Sequence, residues 1–167
     1  MYLYLLDVST NAISTGYLNS FCETLLENID KIPGDSRTQI GFITYSSSIH
    51  FYSISESYSQ PKMMVYPDLE EINLPMPESL MCNLSENKEA VKAFLQQLPD
   101  LFANTFDTDS ALGSALQAAY QLMKPTGGRV TVMQTCLPNV GAGALKTREE
   151  SIDQVLLSLN NNNQNFH

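Results

Sequence analysis

The sequence predicts an α/β domain, and three observations carry that reading. The chain opens on an apolar run, residues 2–6, that breaks at Asp7 into Ser9, Thr10 and Asn11, the pattern of a central strand buried on both faces. Strand-like runs then alternate with stripes of helical period, as expected for a sheet covered by helices on both faces. The β-rich runs at 39–45 and 49–54 are joined only by Ser46, Ser47 and Ser48, and so short a connection permits only an antiparallel hairpin. The expected sheet is therefore mostly parallel with an antiparallel hairpin edge. The polar groups ending the first strand stand where open α/β sheets bind ligands.

A chain of 167 residues suits one domain that buries roughly two thirds of its unfolded surface. Its 9 Lys and Arg against 18 Asp and Glu give a formal net charge of −9, which argues against nucleic acid or an anionic membrane as direct partner. Cys22, Cys82 and Cys136 are odd in number and widely spaced, so neither a disulfide framework nor a zinc knuckle is expected, and a reducing compartment is favoured. Met1 leads straight into a strand without a basic leader, and no apolar run reaches transmembrane length. The expectation is a soluble, cytoplasmic protein, in which the sequon Asn83-Leu84-Ser85 has no role.

After the opening strand, Leu18, Phe21, Cys22, Leu25, Leu26 and Ile29 recur at helical spacing, and Pro33-Gly34-Asp35 turns the chain. Cys22 lies inside that stripe and reads as a small core residue. The run at 49–54 alternates in a way that suits an edge strand with one wetter face, and His50 within it reads as structural. Residues 56–83 hold Pro61, Pro67, Pro75 and Pro77, which exclude a continuous helix and confine any strand, such as Lys62–Tyr66, to an edge. The apolar side chains of this stretch make Met63, Met64, Tyr66, Leu74, Met76 and Met81 a candidate partner surface.

Ser85 is expected to cap a helix on Val91, Phe94, Leu95 and Leu98 that Pro99 ends. Thr108 or Asp109 is expected to cap another on Leu112, Ala115, Leu116, Ala119 and Met123. A strand from 130 to 133 follows, then Gln134-Thr135-Cys136 and a glycine loop, Gly141-Ala142-Gly143, too short for a phosphate cradle. Residues 152–159 read as a short helix, and the asparagine-rich stretch 160–165 as a disordered tail.

At the carboxyl end of the first strand stands D-x-S-x-N, with Thr108 at an expected helix start. This arrangement resembles the von Willebrand A fold, whose metal-ion-dependent site uses D-x-S-x-S, a later Thr and an Asp ending the fourth strand. Here Asn11 replaces the second Ser, and Gln134-Thr135-Cys136 supplies no Asp. Asp7, Ser9, Asn11 and Thr108 therefore read as a structural remnant without metal, since Mg²⁺ demands near-octahedral hard oxygen ligands. An enzyme is not expected, because a Ser9 nucleophile would have only His50 or His167 as base.

The strings LDVSTNAISTGYL, ENIDKIPGDSRTQIGFITYSSSIHFYS, DTDSALGSALQAAYQLM and PTGGRVTVMQTCLPNVGAGALKTREE closely resemble the trunk domain of the Sec twenty-four family, cargo adaptors of the COPII vesicle coat. The resemblance runs from Met1 to about residue 150 and leaves 151–167 as a separate tail. It implies a von Willebrand A-like trunk that is incomplete at its C-terminal end, and a non-enzymatic scaffold with no cofactor of its own. The family's zinc lies in a module absent from this sequence. The resemblance further implies pairing with a Sec twenty-three-type subunit and support for capture of cargo and SNARE export signals by the full-length protein. The setting would be endoplasmic reticulum to Golgi transport, with peripheral, indirect membrane association on COPII vesicles. The alternative of the same fold is a metal-dependent adhesion or interaction domain.

Overall fold

The computed structural model describes residues 1–146; the expected helix at 152–159, the tail and the boundary near 150 lie outside the described residues. Strand β1 (Tyr2–Asp7) is central, with β2 (Gln39–Tyr45) parallel on one side and β6 (Arg129–Met133) parallel on the other. Beyond β2 lie β3 (Ile49–Ser53) and β4 (Lys62–Tyr66), both antiparallel, and the two-residue β5 (Cys82–Asn83) also pairs with β2. The path across the sheet is β4-β3-β2-β1-β6.

The α/β class, the hairpin and the helices on both faces agree with expectation, but the sheet is mixed. Antiparallel pairing is more extensive than expected because the proline-rich stretch contributes β4 and β5. Strand β3 is accordingly no edge: all five of its residues are buried, and β4 takes the edge position. Within β4, Met64 and Tyr66 turn toward the core while Met63 and Val65 are exposed, a half-buried alternation suited to an edge.

One face of the sheet carries α2 (Tyr17–Asn28) and α3 (Lys88–Phe102), which pack on Leu6, Ile40, Phe42 and Tyr52. An aromatic chain fixes that layer, with Tyr4 stacked on Phe42 at 5.5 Å and Phe94 at 5.0 Å from Phe42 and 4.8 Å from Tyr52. Leu18, Cys22, Leu25 and Ile29 are buried as their spacing requires, and burial pushes the Cys22 thiol up to about 12. The opposite face carries α4 (Leu112–Met123), whose Ala115, Ala118 and Ala119 lie close against Leu3, Leu5, Ile43 and Phe51.

Helix boundaries differ from the sequence reading in three places. Ser85 does not cap α3; its hydroxyl donates to Ser36 O and Asn83 Oδ1, and the helix N-terminus is met instead by Glu56, whose Oε1 accepts from Ala90 N at 3.1 Å. Pro99 lies inside α3, because the burial of Leu98 and the partly buried Phe102 holds the last turn in place. Neither Thr108 nor Asp109 caps α4, which begins after Ala111, anchored by its own N–H to Ser46 O.

Candidate functional site

Strand β1 ends in a fully buried carboxylate, so every lone pair of Asp7 must be accounted for within the protein. Its Oδ1 accepts from Ser9 N at 2.9 Å. Its Oδ2 accepts from Thr135 N at 3.0 Å, from Thr135 Oγ1 at 2.8 Å and, more weakly, from Cys136 Sγ at 3.6 Å. The Asp7 carbonyl accepts from the Tyr17 hydroxyl. Burial and the neighbouring Asp7 charge push the Tyr17 phenol far above its ordinary value, which keeps it a donor. Asp7 thus ties the start of α1 (Thr10–Ser14) to the segment leaving β6.

Ser9 is equally buried, and its hydroxyl caps α1 by accepting from Ala12 N at 3.4 Å, with Cys136 Sγ 3.8 Å away. Of the four residues expected together, only Asp7 and Ser9 meet. Asn11 is exposed on α1, where its carbonyl accepts from Thr15 N and Ser14 Oγ. Thr108 is exposed in the connection before α4 and makes no hydrogen bond among the described residues to Asp7 or Ser9.

The residues that do converge were not singled out by sequence. Asp107, next to Thr108, holds the hairpin turn through Ser47 N at 2.9 Å and the Ser47 hydroxyl, while its carbonyl accepts from Thr10 N at 2.7 Å. Asn139 binds the same connection, accepting from Ser110 N at 2.8 Å and donating to Asp109 Oδ1 at 2.8 Å. Three loops at the carboxyl end of the sheet are therefore bound to one another. The only available signal was positional: Thr135 follows a strand beside β1, and D-T-D is rich in side chains that bind nearby N–H groups.

The groups around the Asp7 carboxylate are N–H, O–H and S–H donors aimed at it, so both of its oxygens are engaged within the protein. Among the described residues no three His, Cys, Asp or Glu side chains are grouped as metal ligands would be. His50 is likewise engaged, with Nδ1 2.9 Å from Thr44 Oγ1 and Nε2 3.2 Å from Ser48 Oγ, and burial lowers its pKa.

The expected partner surface divides. Met81 is buried, and Met64, Tyr66 and Leu74 pack on the core that α4 covers, so the fold itself accounts for those four apolar side chains. Met63 and Met76 are 44% and 48% exposed, and Met76 adopts a left-handed backbone at φ 43° that few side chains take without constraint.

The family model of the Sec23/Sec24 trunk domain matches residues 1–167. The chain belongs to that family. Among curated relatives, Sec24A of Bos taurus is 58% identical over 150 residues, covering 90% of this chain and 14% of that protein. An Arabidopsis thaliana transport protein, SEC24 A, is 47% identical over 148 residues, covering 89% and 14% respectively. In structure, this trunk domain superposes on the human COPII-coat protein Sec24c with a TM-score of 0.82 at 31% identity, covering 89% of this chain and 21% of the other. The chain thus spans about one seventh of the length of the curated relatives named here, from the 14% coverage.

Proposed function

We propose that this trunk domain serves as a non-enzymatic scaffold of a Sec24-type COPII cargo adaptor, pairing with a Sec23-type subunit on the cytoplasmic side of endoplasmic reticulum membranes and vesicles. The observation that carries the reading is the 58% identity to a Sec24A over 150 residues. Such identity extends far beyond what a shared fold requires. The state of the site supports it: loops that would open onto a ligand are bound to one another through Asp7, Asp107 and Asn139. No helix among the described residues is long and apolar enough to cross a membrane, in keeping with a peripheral, indirect association. Cargo selection would then be a property of the full-length adaptor, with Met63 and Met76 as candidate partner contacts.

The test is capture of a purified Sec23-type subunit by this chain, with Mg²⁺ and with EDTA. Deleting the proline-rich stretch would remove β4, so point variants are preferable. Capture that survives EDTA and weakens in Met63→Asp or Met76→Asp is expected. Capture lost on chelation would replace the scaffold reading with a metal-dependent interaction domain, and no capture in either condition would overturn the pairing.

A further inference from the structure

We propose that the groove between α2 and β6 binds a free long-chain fatty acid, with the tail along α2 and the carboxylate at Lys31. Among the described residues β6 is the last strand on its side of the sheet, so the outer flank of α2 is left uncovered there. In the parallel β1–β6 pair, Met133 lies beside Leu6 and so on the face that α2 covers. Met133 forms one wall of a groove of about 560 Å³, and Phe21, Leu25 and Ile32 supply much of the remaining apolar lining. Ser20, Thr24 and Asn28, one turn apart along α2, add two hydroxyls and an amide. A groove of this volume, apolar with a few polar groups, has the character of a small-molecule site.

Length and section select a slim occupant. Both ends of the groove are pinned to β1. The Tyr17 hydroxyl donates to the Asp7 carbonyl at one end, and the Tyr2 hydroxyl donates to Pro33 O at 2.7 Å at the other. Helix α2, 12 residues and about 18 Å long, runs between them. A volume of about 560 Å³ along that length leaves a mean section of about 30 Å², against about 80 Å² for an α-helix 10 Å across. One extended hydrocarbon chain fits that section, whereas a docking helix does not.

Charge supplies the head group and its orientation. Among the described residues Lys31 is the one charged side chain lining the groove, and its Nζ donates to the neutral Asn28 Oδ1 at 3.0 Å rather than to a carboxylate. Arg37, Lys88 and Lys92 are each paired with an acid instead. An anion at Lys31 therefore meets a cation that no described carboxylate neutralises. At the opposite end the buried Asp7 carboxylate, behind Tyr17, would repel it. The formal net charge of −9 disfavours an anionic bilayer as the source, so the ligand is the free carboxylate monomer. The proposal does not rest on pairing with any other subunit.

Titrating the whole chain, ¹³C-labelled at its methionine methyls, with monomeric dodecanoate tests it by nuclear magnetic resonance. A saturable shift of Met133 is expected, without one at the exposed Met63 and Met76. Affinity should fall at least about fivefold in Lys31→Glu, return in Lys31→Arg, and fall at least about tenfold when the tail is shortened to octanoate. Dodecyltrimethylammonium, with the same tail and the opposite charge, should bind at least about fivefold more weakly. Lys31 and Thr24 are exposed, so their variants leave the core intact, and Thr24→Trp should fill the groove and abolish the shift. No saturable shift at Met133, equal shifts at all methionines, or a shift given by phosphatidylserine vesicles but not by dodecanoate would each overturn the proposal. So would affinities within about twofold for the two amphiphiles or for Lys31→Glu and the parent, or a shift that persists in Thr24→Trp.

Discussion

Replacing Asp7 with Ala separates a structural carboxylate from a ligand site. The side chain is fully buried and accepts from two backbone N–H groups and one hydroxyl at 2.8–3.0 Å. Each such charge-assisted bond contributes about 1.5–3 kcal/mol, and leaving a buried donor unpaired costs about 1–3 kcal/mol. Because Thr135 is exposed, water replaces part of what its groups lose, so the upper sum does not apply. A loss of about 4 kcal/mol is expected for Asp7→Ala. Asp7→Asn keeps one acceptor oxygen but aims an NH₂ at the remaining donors, so roughly half that loss is expected. With a urea slope of about 2 kcal/mol/M, the two midpoints should fall by about 2 M and 1 M. Unfolding should be followed by circular dichroism with and without Mg²⁺. An Asp7→Ala midpoint within about 0.3 M of the parent would refute the reasoning. So would a Mg²⁺-dependent rise in the parent that the variant lacks.

Two further outcomes follow from buried contacts. Burial holds His50 below its ordinary value near 6.5, against smaller opposing effects of the Thr44 hydrogen bond and Asp107. Its contribution to stability is therefore complete above the unfolded value and lost as pH falls through the folded one, so the urea midpoint should decline below about pH 6.5. That decline should be shallower in His50→Gln; parallel pH profiles would rule the histidine out as its source. Gly113→Ala would drive a Cβ into Ala142 O and displace the loop over α4, lowering stability by about 1–3 kcal/mol. Thermal melting and faster proteolytic cleavage within 139–145 should both report it, and an unchanged melt would mean the loop yields freely.

The features legible in the sequence were those set by local periodicity. Leu18, Cys22, Leu25 and Ile29 are buried as their spacing requires, and the serine turn between β2 and β3 left the chain only one pairing. The misplaced features depend on residues far apart along the chain. Glu56 meets the start of α3 from 34 residues away, which made Ser85 look like a cap when Ser36 and Asn83 already engaged it. β3 looked like an edge because nothing local announces that Lys62–Tyr66 returns to pair with it. At the candidate site, the poor match of Asn11 and Gln134-Thr135-Cys136 to a metal-binding pattern was visible in the sequence. That Thr135, 128 residues from Asp7, would turn its N–H and hydroxyl onto the carboxylate was not.

The position of β1 between β2 and β6 has a consequence during synthesis. Strands β1 to β5 are all present once Asn83 has left the ribosome, yet β6 begins only at Arg129, 46 residues later. At about 5–20 residues per second, that gap lasts roughly 2–9 s. Throughout it β1 has one of its two neighbours, and Leu3 and Leu5 await the helix that arrives just before β6. The nascent chain therefore carries this core strand with an open edge for seconds, a period in which a chaperone at the ribosome exit has something definite to shield.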